Sequence, residues 1–167
     1  MEQRRFVIEA VMLASYGQLL VPDRPVQYIT SYSSLMELYE MADSPDPVMI
    51  DPEDDRYVKE NIKELIRFIE EPLNRKKIEK ALSIPWKASA PLIVNDLVSL
   101  IVVNAYDHEQ YGEWFDPIET EMIVLAVQEG VPILTDQFDF TQKIIEHEVP
   151  VQVFDVEDYE YALEAEY

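Results

Sequence analysis

The chain has 167 residues, 34 of them acidic and 13 basic, for a net charge of −21; 48% are hydrophobic and none is cysteine. That length and apolar fraction suit one folded domain with a buried core, and the absence of cysteine excludes disulfides, thiolate catalysis and Cys-based zinc sites. The three glycines, Gly17, Gly112 and Gly130, cannot assemble a Walker A loop or a Gly-x-Gly-x-x-Gly turn, which excludes nucleotide binding through those two devices.

In chain order, Met1-Glu2-Gln3-Arg4-Arg5 leads into an apolar run that meets Glu9 too soon to be the core of a signal peptide. No apolar stretch approaches the roughly 20 residues that span a bilayer. The expectation is a cytoplasmic protein with no membrane partner. Phe6-Val7-Ile8-Glu9 reads as a short buried strand, and Ala10 to Leu20 as an apolar helix broken near Gly17. Pro22 and Pro25 mark a loop, and the β-branched and aromatic run Val26 to Ser31 a second strand. Ser34-Leu35-Met36-Glu37 fits a capping box that opens a helix through Met41.

Pro45 and Pro47 make Ala42 to Ile50 a loop. Asp51-Pro52-Glu53-Asp54 then starts a helix with an Asp cap, Pro at the first position and acids in the first turn. Val58, Ile62, Leu65, Ile66 and Ile69 give that helix one apolar face. Pro72 ends the pattern, Leu73 to Leu82 forms a basic helix, and Ile84 to Pro91 is a connection. Asn95 is expected to cap a deeply buried helix from Leu97 to Ala105. Asp116-Pro117 starts another, which stops at Gly130. Val131 to Leu134 is a strand, Phe140 to Glu148 a helix and Val149 to Phe154 a last strand, followed by an acidic, Tyr-rich helix.

Short strands alternating with helices imply an α/β fold, a small central parallel sheet flanked by helices on both faces. No repeat or sharp composition shift divides the chain, so residues 1–167 read as a single domain. A helical insertion falls at about 51–83 and an acidic C-terminal helix at about 156–167.

Four acid-bearing segments sit where a strand ends or a helix begins: Phe6 to Glu9, Ile29 to Glu37, Asp116 to Glu121, and Ile133 to Phe140. Residues at the carboxyl ends of parallel strands converge on one crevice. Carboxylates that converge without cationic partners need protons or a hard divalent metal. His108 and His147 lie among acids and read as solvated rather than ligating.

These segments resemble the PIN-domain family, small α/β proteins that include many metal-dependent ribonucleases. The likeness is one of layout and short motifs over roughly residues 6–154. Val7-Ile8-Glu9-Ala10-Val11-Met12-Leu13 is similar to the family's first-strand segment, with Glu9 where Asp is typical. Tyr32-Ser33-Ser34-Leu35-Met36-Glu37-Leu38 resembles its second acidic segment. Counting back from Gly130 reaches Glu119, again Glu for Asp. Thr135-Asp136-Gln137-Phe138-Asp139-Phe140 keeps Thr135, Asp139 and Phe140 of the fourth motif, puts Gln137 at the usual acid and has Asp136 one place early.

The resemblance implies a three-layer sandwich and a ribonuclease in which Glu9, Glu37 and Glu119 hold Mg²⁺ or Mn²⁺, with Asp136 or Asp139 adding a contact. Such a metal lowers the pKa of a bound water and stabilises charge on a scissile phosphate. The alternative is a PIN-like fold without catalysis that serves binding or assembly, for instance as a homodimer. Each acid also has an ordinary structural role: Glu37 and Glu119 as capping-box partners, Asp136 and Asp139 as turn acids, and Glu9 as a surface partner of Arg4 or Arg5 if the first strand is short.

Partner chemistry follows from charge. Nine of the basic residues fall between Arg56 and Lys87, the one segment on which an RNA backbone could rest, although a solvated helix face explains it as simply. The acidic end with Tyr159, Tyr161 and Tyr167 is either a helix docked on its own domain, a dimer contact or a docking segment for a basic protein.

Overall fold

The computed structural model describes residues 3–105 and 109–164. Six strands form one sheet in the order β3-β4-β2-β1-β5-β6: β1 (Arg4–Ile8), β2 (Val26–Ser31), β3 (Leu92–Ile93), β4 (Val98–Val103), β5 (Ile133–Leu134) and β6 (Val153–Phe154). All neighbouring pairs are parallel except β3 against β4. The central strands are short apolar runs because both of their faces are covered.

Alternate residues feed two cores. Phe6, Ile8, Tyr28, Leu100 and Leu134 pack on one face, under α1 (Met12–Ser15), α2 (Tyr32–Asp43), α3 (Pro52–Ile69), α4 (Pro72–Ala81) and α8 (Val156–Glu164). Val7, Ile29, Val103 and Ile133 pack on the other, under α6 (Pro117–Glu129) and α7 (Phe138–Glu146). A one-turn helix, α5 (Glu109–Gly112), precedes α6, and a 3₁₀ turn (Gly17–Leu20) follows α1. The chain is thus an α/β sandwich of three layers, as the strand–helix alternation predicts.

The stretch expected to be a helix at Leu97 to Ala105 is instead the strand β4, paired with β2 along its whole length from Val26↔Val98 to Ser31↔Val103. A strand buried on both faces is continuously apolar, so periodicity does not separate it from a buried helix; the β-branched run Ile101-Val102-Val103 tips it to strand. Asn95 does cap, but it caps a turn: its Oδ1 accepts from the amides of Leu97 and Val98 at 2.9 and 3.0 Å.

The predicted helix from Ala10 to Leu20 divides at Gly17 into α1 and the 3₁₀ turn. Helix α3 starts as the sequence dictates, with Asp51 Oδ1 accepting from the amides of Glu53 and Asp54. Helix α6 ends at Gly130, whose φ of 64° is the left-handed cap glycine adopts without strain.

The C-terminal helix docks on its own fold. Tyr159 is buried, its ring 5.1 Å from that of Phe6, and its hydroxyl shares a 2.7 Å hydrogen bond with Tyr28, which in turn donates to the Leu19 carbonyl. Tyr161 faces solvent, and Tyr167 lies outside the described residues. Among the described residues no helix is long and apolar enough to cross a membrane.

Candidate functional site

The chain leaves β1 for β2 on one side and returns to place β5 on the other, so the sheet's switch point lies between β1 and β5. Glu9 is the residue after β1, and Thr135-Asp136 follow β5. Strand β2 turns into α2 with no intervening loop, which carries Glu37 to the same end. The start of α6 brings Asp116 and Glu119. Together Glu9, Glu37, Asp116, Glu119 and Asp136 line one cleft of about 300 Å³, walled also by the Val48-Met49 loop.

Glu9 is the focus. Its side chain is buried, and among the described residues it makes no side-chain hydrogen bond or ion pair. Arg5 lies at the other end of β1, bonded to Gln27 and 3.6 Å from Glu129, so the surface pairing with Glu9 that a shorter strand would allow does not form. Burial, and then the negative fields of Glu37, Asp136, Asp116 and Glu119, push the Glu9 carboxyl up to about 7. The amide after it, at Ala10, donates to Ser34 Oγ at 2.8 Å, which ties the end of β1 to the start of α2.

Glu37 is half-buried, and its carboxyl is raised by burial and by Asp116 and Glu40. The capping box expected for it does not exist. Helix α2 begins earlier, at Tyr32, capped by Ser31, whose side chain accepts from the Ser34 amide at 3.1 Å. Glu37 therefore lies in the second turn, facing the cleft, and the capping role does not explain it.

Glu119 behaves in the opposite way. It completes a capping box with Asp116: Glu119 Oε1 accepts from the Asp116 amide at 3.0 Å, and Asp116 Oδ1 accepts from the Glu119 amide at 2.7 Å. The same oxygen also accepts from Lys143 Nζ at 2.6 Å. Lys143, on α7, sits with its ammonium 5.2 Å from the centre of the Phe115 ring. The premise that these acids lack any cationic partner thus fails at one position.

Asp136 is exposed at the mouth, where Tyr16 donates to its Oδ2 at 2.8 Å. Burial and that acid raise the Tyr16 phenol to about 12, so it remains a donor. Asp139 does not join the cleft: it is exposed in the first turn of α7, where an acid suits the helix N-terminus. Two residues that line or neutralise the cleft, Asp116 and Lys143, escape sequence reading. Asp116 is legible as a cap but not as a cleft acid. Lys143 is conspicuous as the one basic residue after Lys87, yet its partner is 24 positions away.

The donor set is hard oxygen throughout, which suits Mg²⁺ or Mn²⁺, and a buried acid with no counter-charge is where a cation is favoured. As placed, no three Asp, Glu or His of the described residues are grouped so as to hold a metal ion together.

The remaining candidates resolve simply. His147 is exposed and stacked on Trp114 at 4.5 Å, and His108 lies outside the described residues. In the basic segment, Lys59, Lys63, Arg67 and Arg75 pair with carboxylates of their own helices, and Lys77 donates to the Pro91 carbonyl. No protein-family model matches the chain, and no curated protein matches it.

Proposed function

We propose that the crevice at the carboxyl end of the sheet is a divalent-metal-dependent ribonuclease site of the PIN-like kind. The observation that supports this reading is Glu9, a buried carboxylate with no counter-charge at the switch point of a parallel sheet, facing four other acids. Glu9, Glu37 and Asp136 are the residues that would hold Mg²⁺ or Mn²⁺. The ion would supply Lewis acidity toward a phosphate oxygen and a more acidic water.

The chain's own groups account for the rest. Without added positive charge the cleft repels a phosphodiester, so catalysis and substrate entry have the same requirement. Glu9 gives up its proton near neutral pH and becomes a ligand when a cation arrives. Tyr16 holds Asp136 at the mouth, and Lys143 occupies Glu119, which therefore shapes the wall instead of ligating. A cleft of about 300 Å³ admits a nucleotide-sized group, which favours single-stranded RNA. Arg56, Lys76, Lys80 and Lys87, unpaired with carboxylates among the described residues, are left to meet the RNA backbone.

A second reading, a PIN-like module without catalysis that serves binding or assembly, draws on the occupied Glu119 and the ungrouped ligands. Two measurements separate them. A calorimetric Mn²⁺ titration at moderate salt should saturate at one or two sites in the wild type and be lost in Glu37→Gln. A fluorescent single-stranded RNA should then be cut in the presence of Mn²⁺, at a rate at least a hundredfold lower in Glu9→Gln. Weak, unsaturating heats identical in both proteins leave the second reading.

A further inference from the structure

The loop 44–51 joins α2 to α3 and walls one side of the carboxylate cleft through Val48 and Met49. Loops ordinarily run mobile over a protein surface. This one is pinned along its first six residues. Pro45 and Pro47 carry no N–H and have a fixed φ. Each of the other amides is bonded: that of Ser44 to the Glu40 carbonyl at 3.0 Å, and that of Asp46 to Ser44 Oγ at 3.1 Å. Asp55 Oδ1, from the first turn of α3, accepts from the amides of Val48 and Met49 at 2.5 and 3.1 Å. Lys59, one turn further on, lies 3.5 Å from Asp55 Oδ2 and donates to the Ser44 carbonyl at 3.4 Å.

Helix α3 does not need Asp55 for its start. Asp51 caps it, and Glu53 and Asp54 already place acids in its first turn. Asp55 differs from them in being half-buried and turned back onto the loop. What it holds in place is apolar. Val48 packs against the core and Met49 is 36% exposed, and with Val11, Met41 and Ile118 they give the cleft a hydrophobic side beside its acids. A metal ion uses only the acids. The apolar side suits a ligand that also carries a flat, weakly polar face, as a nucleotide does in its base.

We propose that this loop is a preformed wall on which the base of the bound RNA nucleotide rests, with Val48 and Met49 as the contact. Asp55, supported by Lys59, is its positioning residue. The inference rests on the metal-dependent ribonuclease reading above and adds to it the residues that meet the base. Because the loop is already pinned, little ordering is left to be done when a base arrives. The Val48 and Met49 amides are taken by Asp55, so this wall offers the base no backbone donor from them. Contact through a thioether and a valine meets the face of a base and leaves its edge unread, which makes the wall tolerant of sequence.

The test follows Mn²⁺-dependent cleavage of a short fluorescent oligouridylate by the full chain, with exchange of the Val48 and Met49 amides measured by NMR. Wild type is compared with Met49→Ala, Asp55→Ala, Asp55→Asn and Ile50→Ala; the last truncates an exposed neighbour that does not line the cleft. Asp55→Ala should speed exchange of both amides about tenfold or more. It should also raise KM about fivefold or more while Mn²⁺ affinity stays unchanged. Met49→Ala should raise KM alike and leave exchange as it is. Asp55→Asn, whose side-chain carbonyl still accepts, and Ile50→Ala should both keep wild-type values. Thermal melts identify any variant that fails to fold, and Met49→Ala carries the comparison if Asp55→Ala does. Cleavage with wild-type KM in Met49→Ala and Asp55→Ala, an equal rise in Ile50→Ala, or exchange that Asp55→Ala leaves unaltered overturns this inference alone. No cleavage by the wild type overturns the nuclease reading, and this inference with it.

Discussion

The two ends of β1 face opposite electrostatic problems, although Arg4 and Glu9 are only five positions apart. At the carboxyl end, five acids share a cleft whose one bonded cation among the described residues is Lys143, held by Glu119. At the amino end, Arg4, Arg5 and Arg24 line a cavity with no acid among its described lining residues, and Arg5 lies 3.6 Å from Glu129. Ordinary surface chemistry relieves such imbalance by pairing, as α3 does with Lys59–Asp55 and Lys63–Glu60. Where a fold buries one charge without a partner among the described residues, as it does at Glu9, part of the folding free energy is spent on holding it there.

The comparison breaks most sharply at Glu9. Its folded carboxyl titrates near 7, above its ordinary 4.5, so the folded state holds the proton more tightly than the unfolded chain. Stability is therefore unaffected by this group below about pH 4.5 and falls as pH rises toward 7. At about 1.4 kcal/mol per pH unit the total is about 3 kcal/mol. Glu9→Gln should leave urea stability unchanged near pH 4 and raise it by about 3 kcal/mol at pH 8. Equal stability at pH 8 would mean that the crevice imposes no strain.

Lys143→Met tests the acid end from the other side. It leaves the Glu119 carboxylate, 9% exposed at the side chain, without its cation. The expected loss is about 2 kcal/mol at pH 8, less than for a fully buried pair because the lysine is a third exposed. The double variant Lys143→Met, Glu9→Gln should recover part of that loss, since the two sites share one field.

Tyr16→Phe removes the donor to Asp136 at an exposed position. Stability should fall by about 0.5–1 kcal/mol, while Mn²⁺ affinity drops several-fold because Asp136 is no longer oriented. Arg5→Gln at the arginine end is the smallest change. Its pairs are part-exposed, so chemical denaturation should register about 0.5 kcal/mol or less. A large loss there would mean that the bonds of Arg5 to Gln27 and Glu129 hold the amino end of β1 more strongly than part-exposed pairs do.

Much of the fold is legible in the sequence, because capped helices and short apolar strands carry local signals. Asp51-Pro52 and Asp116-Pro117 start α3 and α6 as read, and Gly130 ends α6. Strand β4 misleads because a run buried on both faces loses the two-residue alternation that distinguishes a strand. Strand β3, two residues long, gives no periodicity at all. At the site, Glu9, Glu37, Glu119 and Asp136 do reach one cleft, since topology delivers strand ends to one edge. What local pattern cannot supply is partnership across the chain. The bonds from Lys143 to Glu119 and from Tyr16 to Asp136, and the cap at Ser31 that removes Glu37 from the first turn, decide which acids are free.

The most direct test of the proposed metal site is the titration of the Glu9 carboxyl itself, followed by ¹³C NMR with and without Mg²⁺. The account predicts a midpoint near 7 in the absence of Mg²⁺, moving down by at least one pH unit when millimolar Mg²⁺ is added, because ion and proton compete for the same oxygens. A midpoint near 4.5, or one near 7 that Mg²⁺ leaves in place, would contradict it.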